Sequence, residues 1–146
     1  MDIDYSAPNL VVACLSFDRE GGCFYHKYAK EPVVFGHDVD MILQMDHFFD
    51  RIGFPQPAEG GRDFKRAADP SVGSRLPLEM VADAEDLMRH SGRDMTLVIY
   101  VKLRQKATWQ GECRWIEQNR AHAFSSVLGL LRIIDKIRTT VEDERI

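Results

Sequence analysis

Cysteine is scarce in this chain, and the three present, Cys14, Cys23 and Cys113, include no CxxC pair. An odd, scattered set excludes a disulfide framework and the spacing of a zinc site, and it reads as reduced thiols buried in apolar or alternating runs. Long apolar runs are missing as well: none approaches the ~20 residues that cross a bilayer. The opening MDIDYSAPN carries neither a basic nor an apolar leader segment, so a cytosolic location is expected. The marks of familiar catalytic and cofactor sites are absent too, with no GxSxG, P-loop, GxGxxG, HExxH or EF-hand loop. No cofactor or metal is therefore expected, and an enzymatic role has little support.

What is there is enough for one ordinary domain. The chain has 146 residues, 45% of them hydrophobic, which can bury a core without metal or disulfide. The net charge of −4 is unevenly spread: residues 1–54 hold four Lys or Arg against nine Asp or Glu, whereas residues 95–146 hold nine against six. An acidic first half and a basic last half suit docking of the halves on each other, or an anion-facing surface on the second. They do not suit duplex nucleic-acid binding by the whole protein.

The halves also share a pattern. LVVACLSF from Leu10, the turn DREGG, CFYHKYA and an amphipathic segment from Asp38 to about Ile52 spell strand, turn, strand, helix. MTLVIYVKL from Met95, the RQKATWQG turn, ECRWIE and a helix from about Arg120 to Val141 spell the same order. At an offset of 89 residues Phe35 falls on Phe124, Val39 on Leu128, Ile42 on Leu131, Met45 on Ile134 and Asp46 on Asp135. Phe17 meets Leu103 at an offset of 86, so the second hairpin is expected to carry a loop about three residues longer. The reading is an internal duplication, with repeats over 9–54 and 95–141 joined by a loop and short helix at 55–94.

A ββα unit of this size cannot cover both its sheet face and its helix stripe. The expected fold class is therefore α+β: a two-layer sandwich from two ββα repeats, in which the hairpins share one antiparallel sheet and both helices lie on one face. From Leu97 onward, Leu97, Ile99, Val101 and Leu103 alternate with Val98, Tyr100, Lys102 and Arg104, which places Tyr100, Lys102 and Arg104 on the open face. LVVACLSF is apolar on both sides and reads as central or as covered by another subunit. The last helix has more apolar positions, from Phe124 to Val141, than the ~100° stripe a surface helix needs. Packing of the two helices on each other and a homodimer through the helical layer both account for the excess, and a homodimer is the expected assembly.

GFPQPAEGGRDFKRAADPSVGSRLP, residues 53–77, is rich in proline, glycine and charge and reads as a loop or partly disordered linker. LPLEMVADAEDLMRHSG then gives a short helix, with Pro77 in its first turn and Gly92 as its stop. His37, Asp38, Asp40, Asp46, His47 and Asp50 crowd into fourteen residues, but Asp38 and Asp40 stand where a helix start wants acids, and no metal-site spacing occurs. His26, Lys27 and His122 read as solvated polar positions.

The residues most suited to binding lie around RQKATWQGECRW. Here Gly111 permits a turn, Thr108 caps it, and Trp109 either folds back as a lid or stands half-buried as a platform beside Arg104. With Tyr100, Lys102, Arg104, Lys106 and Arg114 around it, and Arg120 close by, Trp109 offers a flat apolar face among cations. That combination suits an acidic protein partner or an anionic small ligand such as a nucleotide. No membrane partner is expected.

RQKATWQG, a spaced Trp and FSSVLGLLRIID, over residues 95–137, resemble a group of short bacterial proteins that share an RQxATWQG turn, a Trp-bearing strand and a leucine-rich closing helix. The FPQPAEGGRDF stretch is similar to segments of such proteins as well. This resemblance brings no known activity. KATWQG is also similar to the second half of the PilZ cyclic-di-GMP signature, and Arg89 with Arg93 forms an RxxxR. The sequence departs from that signature at Lys106, which stands where an acid or amide belongs, and in the thirteen residues that separate Arg93 from Lys106. The expected function is a non-enzymatic cytosolic binding or regulatory module that self-associates and uses the basic, aromatic hairpin. A nucleotide or cyclic-dinucleotide receptor using the same hairpin is the alternative.

Overall fold

The computed structural model describes residues 3–16, 21–55, 79–90, 95–105 and 108–145. Its elements are strands β1 (Val11–Leu15), β2 (Gly22–Tyr25) and β3 (Val33–Phe35), helix α1 (Asp38–Ile52), the short helix α2 (Ala84–Met88), strands β4 (Met95–Gln105) and β5 (Thr108–Trp115), strand β6 (Arg120–Phe124) and helix α3 (Val127–Arg145). The six strands form one antiparallel sheet in the order β3-β2-β1-β4-β5-β6. The chain is thus α+β with the strands of both halves in one sheet. Among the described residues no helix is long and apolar enough to cross a membrane.

Each half contains three strands and a helix rather than the expected two and one. β3 has only three residues, too few for an alternating pattern to show in the sequence. Arg120–Phe124, read from sequence as the start of the last helix, is instead strand β6, set off from β5 by a turn of 3-10 helix (Ile116–Gln118) closed by Asn119 in the left-handed conformation. The three extra residues of the second hairpin lengthen strands β4 and β5 rather than their loop, and Trp109 and Gly111 are strand residues, not turn residues.

The offsets read from the sequence recur in the geometry. Gly22 pairs with Phe35 and Gly111 with Phe124. Helix α1 is capped by His37, whose side chain accepts from the Asp40 N–H, and α3 is preceded by Ser126, whose Oγ accepts from the Gly129 N–H at 2.9 Å. At the centre Val12 pairs with Val98, flanked by Val11–Ile99 and Ala13–Leu97. Exchanging the halves at the first-strand offset of 86 returns the same three pairs.

Helices α1 and α3 cover one face of the sheet. Val11, Ala13, Leu15, Leu97, Ile99 and Val101 from the central strands join Met41, Met45, Phe48, Leu130, Ile134 and Ile137 from the two helices in a single buried cluster. The other face is covered over β1 and β4 by the chain's own Ile3, Leu10 and Leu87, which pack on Val12 and Val98. This explains why LVVACLSF is apolar on both sides without another subunit. It also places α2 on the face opposite the long helices, not at the sheet edge or on the helical layer where the sequence allowed it. α2 is short because it is cut to one capped turn: Asp83 and Asp86 form a reciprocal capping box. Pro77, Gly92 and residues 56–78 lie outside the described residues.

His26 and Lys27, expected to be solvated, are buried. The His26 ring stacks on Phe48 at 4.0 Å, its Nδ1 accepts from the Tyr28 N–H, and Lys27 Nζ donates to the Tyr5 carbonyl at 2.8 Å. Of the cysteines only Cys113 is buried, while Cys14 and Cys23 are partly exposed.

Candidate functional site

One irregularity in β4 redistributes the residues expected to bind. The β4–β5 register slips between Val101 and Leu103, so that Val101 faces Gly111 while Leu103 faces Gln110 and Arg104 faces Trp109. A bulge of this kind adds one residue on one strand and reverses the facing of everything beyond it. Leu103 is turned outward, 51% exposed, and Arg104 inward, 4% exposed. Gly111 is required at this point, since a Cβ there would lie 2.0 Å from the Tyr100 carbonyl oxygen.

Trp109 is 1% exposed, so it is neither a half-buried platform nor open beside Arg104. Its ring meets that of Phe49 at 5.4 Å. Arg104 is held beneath α1: Nη1 donates to Asp46 Oδ1 at 2.9 Å and to Asp50 Oδ1 at 2.8 Å, Nε donates to the Pro55 carbonyl at 3.2 Å, and the guanidinium lies 5.7 Å from the centre of the Phe49 ring. The acidic cluster of α1 is accordingly engaged, with Asp46 and Asp50 on Arg104, Asp38 on Arg138, and Asp40 accepting from the Gly36 N–H.

The other expected residues stand elsewhere. Tyr100 packs on the second cluster, across the sheet from Trp109. Lys102 pairs with the buried Glu112 at 2.9 Å. Arg114 Nη1 donates to Asn119 Oδ1 at 3.2 Å. Lys106 lies outside the described residues. The hairpin therefore brings Arg104 and Trp109 together as structure and does not bring them together with Tyr100, Lys102 and Arg114.

An arrangement of the same chemistry exists one strand away. Trp115 sits at the end of β5 opposite Arg120 of β6, and His122 follows Arg120 on the same side of its strand. α3 lies above them with Ile133, Lys136 and Ile137. These six residues line a groove of about 60 Å³. Trp115 is 4% exposed, yet its indole Nε1 is buried without a hydrogen-bond partner among the described residues. Among those residues, Arg120 and Lys136 likewise appear in no ion pair with an acid. A buried unpaired N–H costs roughly 1–3 kcal/mol. The groove thus offers two cations, an imidazole, an indole ring and two aliphatic walls.

Sequence reasoning reached Arg120 and His122 without assembling the site. Once Arg120–Phe124 is taken as helix, Arg120 and His122 no longer face Trp115. Alternation of Arg120, His122 and Phe124 with Ala121 and Ala123 was the available signal.

A second concavity, about 440 Å³, lies on the opposite face between Tyr25, Lys30, Val81, Arg89 and His90. Its aromatic walls are engaged with each other, Tyr25 and His90 stacking at 3.6 Å, and Arg89 pairs with Asp86 at 3.7 Å. Among the described residues no group of three or more His, Cys, Asp and Glu side chains is placed to hold a metal ion. The chain matches no protein-family model, and searches of curated proteins and of solved structures give no match.

Proposed function

We propose that the chain is a non-catalytic binding module that takes a small apolar monocarboxylate in the groove between β5, β6 and α3. The observation that carries this reading is the Trp115 indole N–H, buried and unpaired beside Arg120, His122 and Lys136. A carboxylate oxygen accepts from a neutral N–H and draws both cations, while Ile133 and Ile137 receive an aliphatic or aromatic body. The groove is small and partly open, which favours a carboxylate head with its body lying along Ile133 and Ile137 over an enclosed sugar and base. An occupant would touch both β6 and α3, which gives a binding event a route to the helical layer.

The module acts in the cytosol as a homodimer. Support for self-association is Val39 at 53% exposure, Leu43 at 63% and Leu128 at 55%, all on the two long helices. Val39 and Leu128 occupy matching positions in their halves, so a single patch on each helix serves the contact. The matching caps, glycine pairs and central strand pairs support descent of both halves from one duplicated unit.

A thermal-shift screen tests the ligand reading. Aliphatic and aromatic carboxylates should raise the melting temperature, and their uncharged amides should not, because a ligand selective for the fold stabilises it by mass action. Stabilisation by nucleotides or cyclic dinucleotides with no response to carboxylates would refute it and move the site to the larger pocket beside Tyr25 and His90.

A further inference from the structure

On the face of the sheet away from α1 and α3, two thiols stand side by side. Cys14 of β1 and Cys23 of β2 are register partners, both free and partly exposed, whereas Cys113 is buried in the core. Directly opposed residues of an antiparallel pair have Cα atoms about 4.5–5.5 Å apart, inside the roughly 4.4–6.8 Å that a disulfide spans.

The two sulfurs are not equivalent. Cys14 lies opposite Cys23 across the strand pair, and Tyr25 follows two residues along β2 on the same face. Burial, then the charge and hydrogen bond of Cys23, push the Cys14 thiol up to about 12, so Cys14 keeps its proton.

We propose that Cys14 and Cys23 form a two-cysteine redox site that closes to a cross-strand disulfide with a small-molecule disulfide as oxidant. The Cys23 thiolate attacks one sulfur of the oxidant, breaking its S–S bond, forming a mixed disulfide and releasing one small thiolate. The Cys14 sulfur then attacks the Cys23 sulfur, forms the Cys14–Cys23 bond and expels the second small thiolate. Two protein thiols are oxidised, one disulfide is reduced to two small thiols, and the two protons leave with them. Closure also alters the contact between Cys23 and Tyr25, whose ring stacks on His90 and walls the larger pocket, so the redox state reaches that pocket directly. This site is independent of the Trp115 groove.

The test is incubation of the folded full chain with oxidised glutathione, followed by alkylation, intact mass and a non-reducing peptide map. Trypsin cleaves at Arg19, between the two cysteines, so an internal bond appears as a linked peptide pair. The expected product has lost two hydrogen masses, carries that linked pair, leaves only Cys113 to be alkylated on unfolding, and is restored by reduced glutathione. Cys14→Ser should trap glutathione on Cys23, and Cys23→Ser should take it up on Cys14 at least about tenfold more slowly. A native chain that remains reduced, or that holds glutathione without forming the linked pair, overturns the proposal. Equal trapping by the two variants overturns the order of attack, and if a variant fails to fold, the peptide map of the native chain decides alone.

Discussion

The side-chain amide of Asn9 donates a 2.7 Å hydrogen bond to the carbonyl of Val101, ninety-two residues away and at the β4 bulge. A bulge removes one ladder partner, and a buried carbonyl left unpaired is costly. Asn9 is fully buried and supplies the missing donor. The N-terminal segment therefore helps maintain the register slip that turns Arg104 and Trp109 toward α1.

Asn9→Leu should lower unfolding stability by about 1–3 kcal/mol, the cost of a buried group losing its partner. Gly111→Ala should cost at least as much, because its Cβ would overlap the Tyr100 carbonyl oxygen, and backbone cannot give way as a side-chain end does. Urea melts check both. Unchanged midpoints would show that the bulge does not depend on these residues.

Trp109→Ala should destabilise by about 3–5 kcal/mol, as expected for a large ring removed from a packed core. Arg104→Ala should cost about 1–3 kcal/mol, less than for a fully buried pair, because Asp46 and Asp50 are half exposed and can be hydrated once Arg104 is gone. Both losses should appear in denaturant melts without any ligand. A Trp109→Ala chain as stable as the native one would return Trp109 to the surface.

His26 gives the fold a pH dependence. Burial, and secondarily the charge of Arg51, lower its pKa from 6.5 to about 4. Between these values the unfolded chain binds a proton that the folded chain does not, so stability is fully present above about pH 6.5 and is lost as pH falls toward 4. His26→Phe keeps a ring on Phe48 and removes the titration. Its melting temperature should fall less than that of the native chain over this window, and parallel curves would show that His26 does not carry the effect.

Much of this fold was legible because α1 and the first part of β4 have strong periodic patterns and β1 is a continuous apolar run. Met45 and Ile134, matched by offset in the sequence, are both fully buried. What escaped was short or irregular. Three residues of β3 carry no periodicity, and β6 alternates two alanines with charge, which resembles a helix start. The β4 bulge is invisible to a strict alternation rule, so Leu103 and Arg104 were assigned to the wrong faces. With Arg104 drawn into an ion cluster by Asp46 and Asp50, the expected hairpin surface did not assemble, and the Trp and cations that share a groove are Trp115, Arg120 and Lys136.

The most direct test of that groove is the indole N–H of Trp115 observed by two-dimensional nitrogen–proton NMR during titration with a short aliphatic carboxylate such as octanoate. The chain has two tryptophans, so Trp109, buried on Phe49, serves as the internal reference. The Trp115 indole proton should move downfield and saturate, as an N–H that gains a charged acceptor does, while that of Trp109 stays in place. Lys136→Glu, at an exposed position of α3, should abolish the shift without unfolding the chain. A Trp115 indole signal that does not respond to octanoate, or that moves only in step with Trp109, would contradict the assignment of this groove as a carboxylate site.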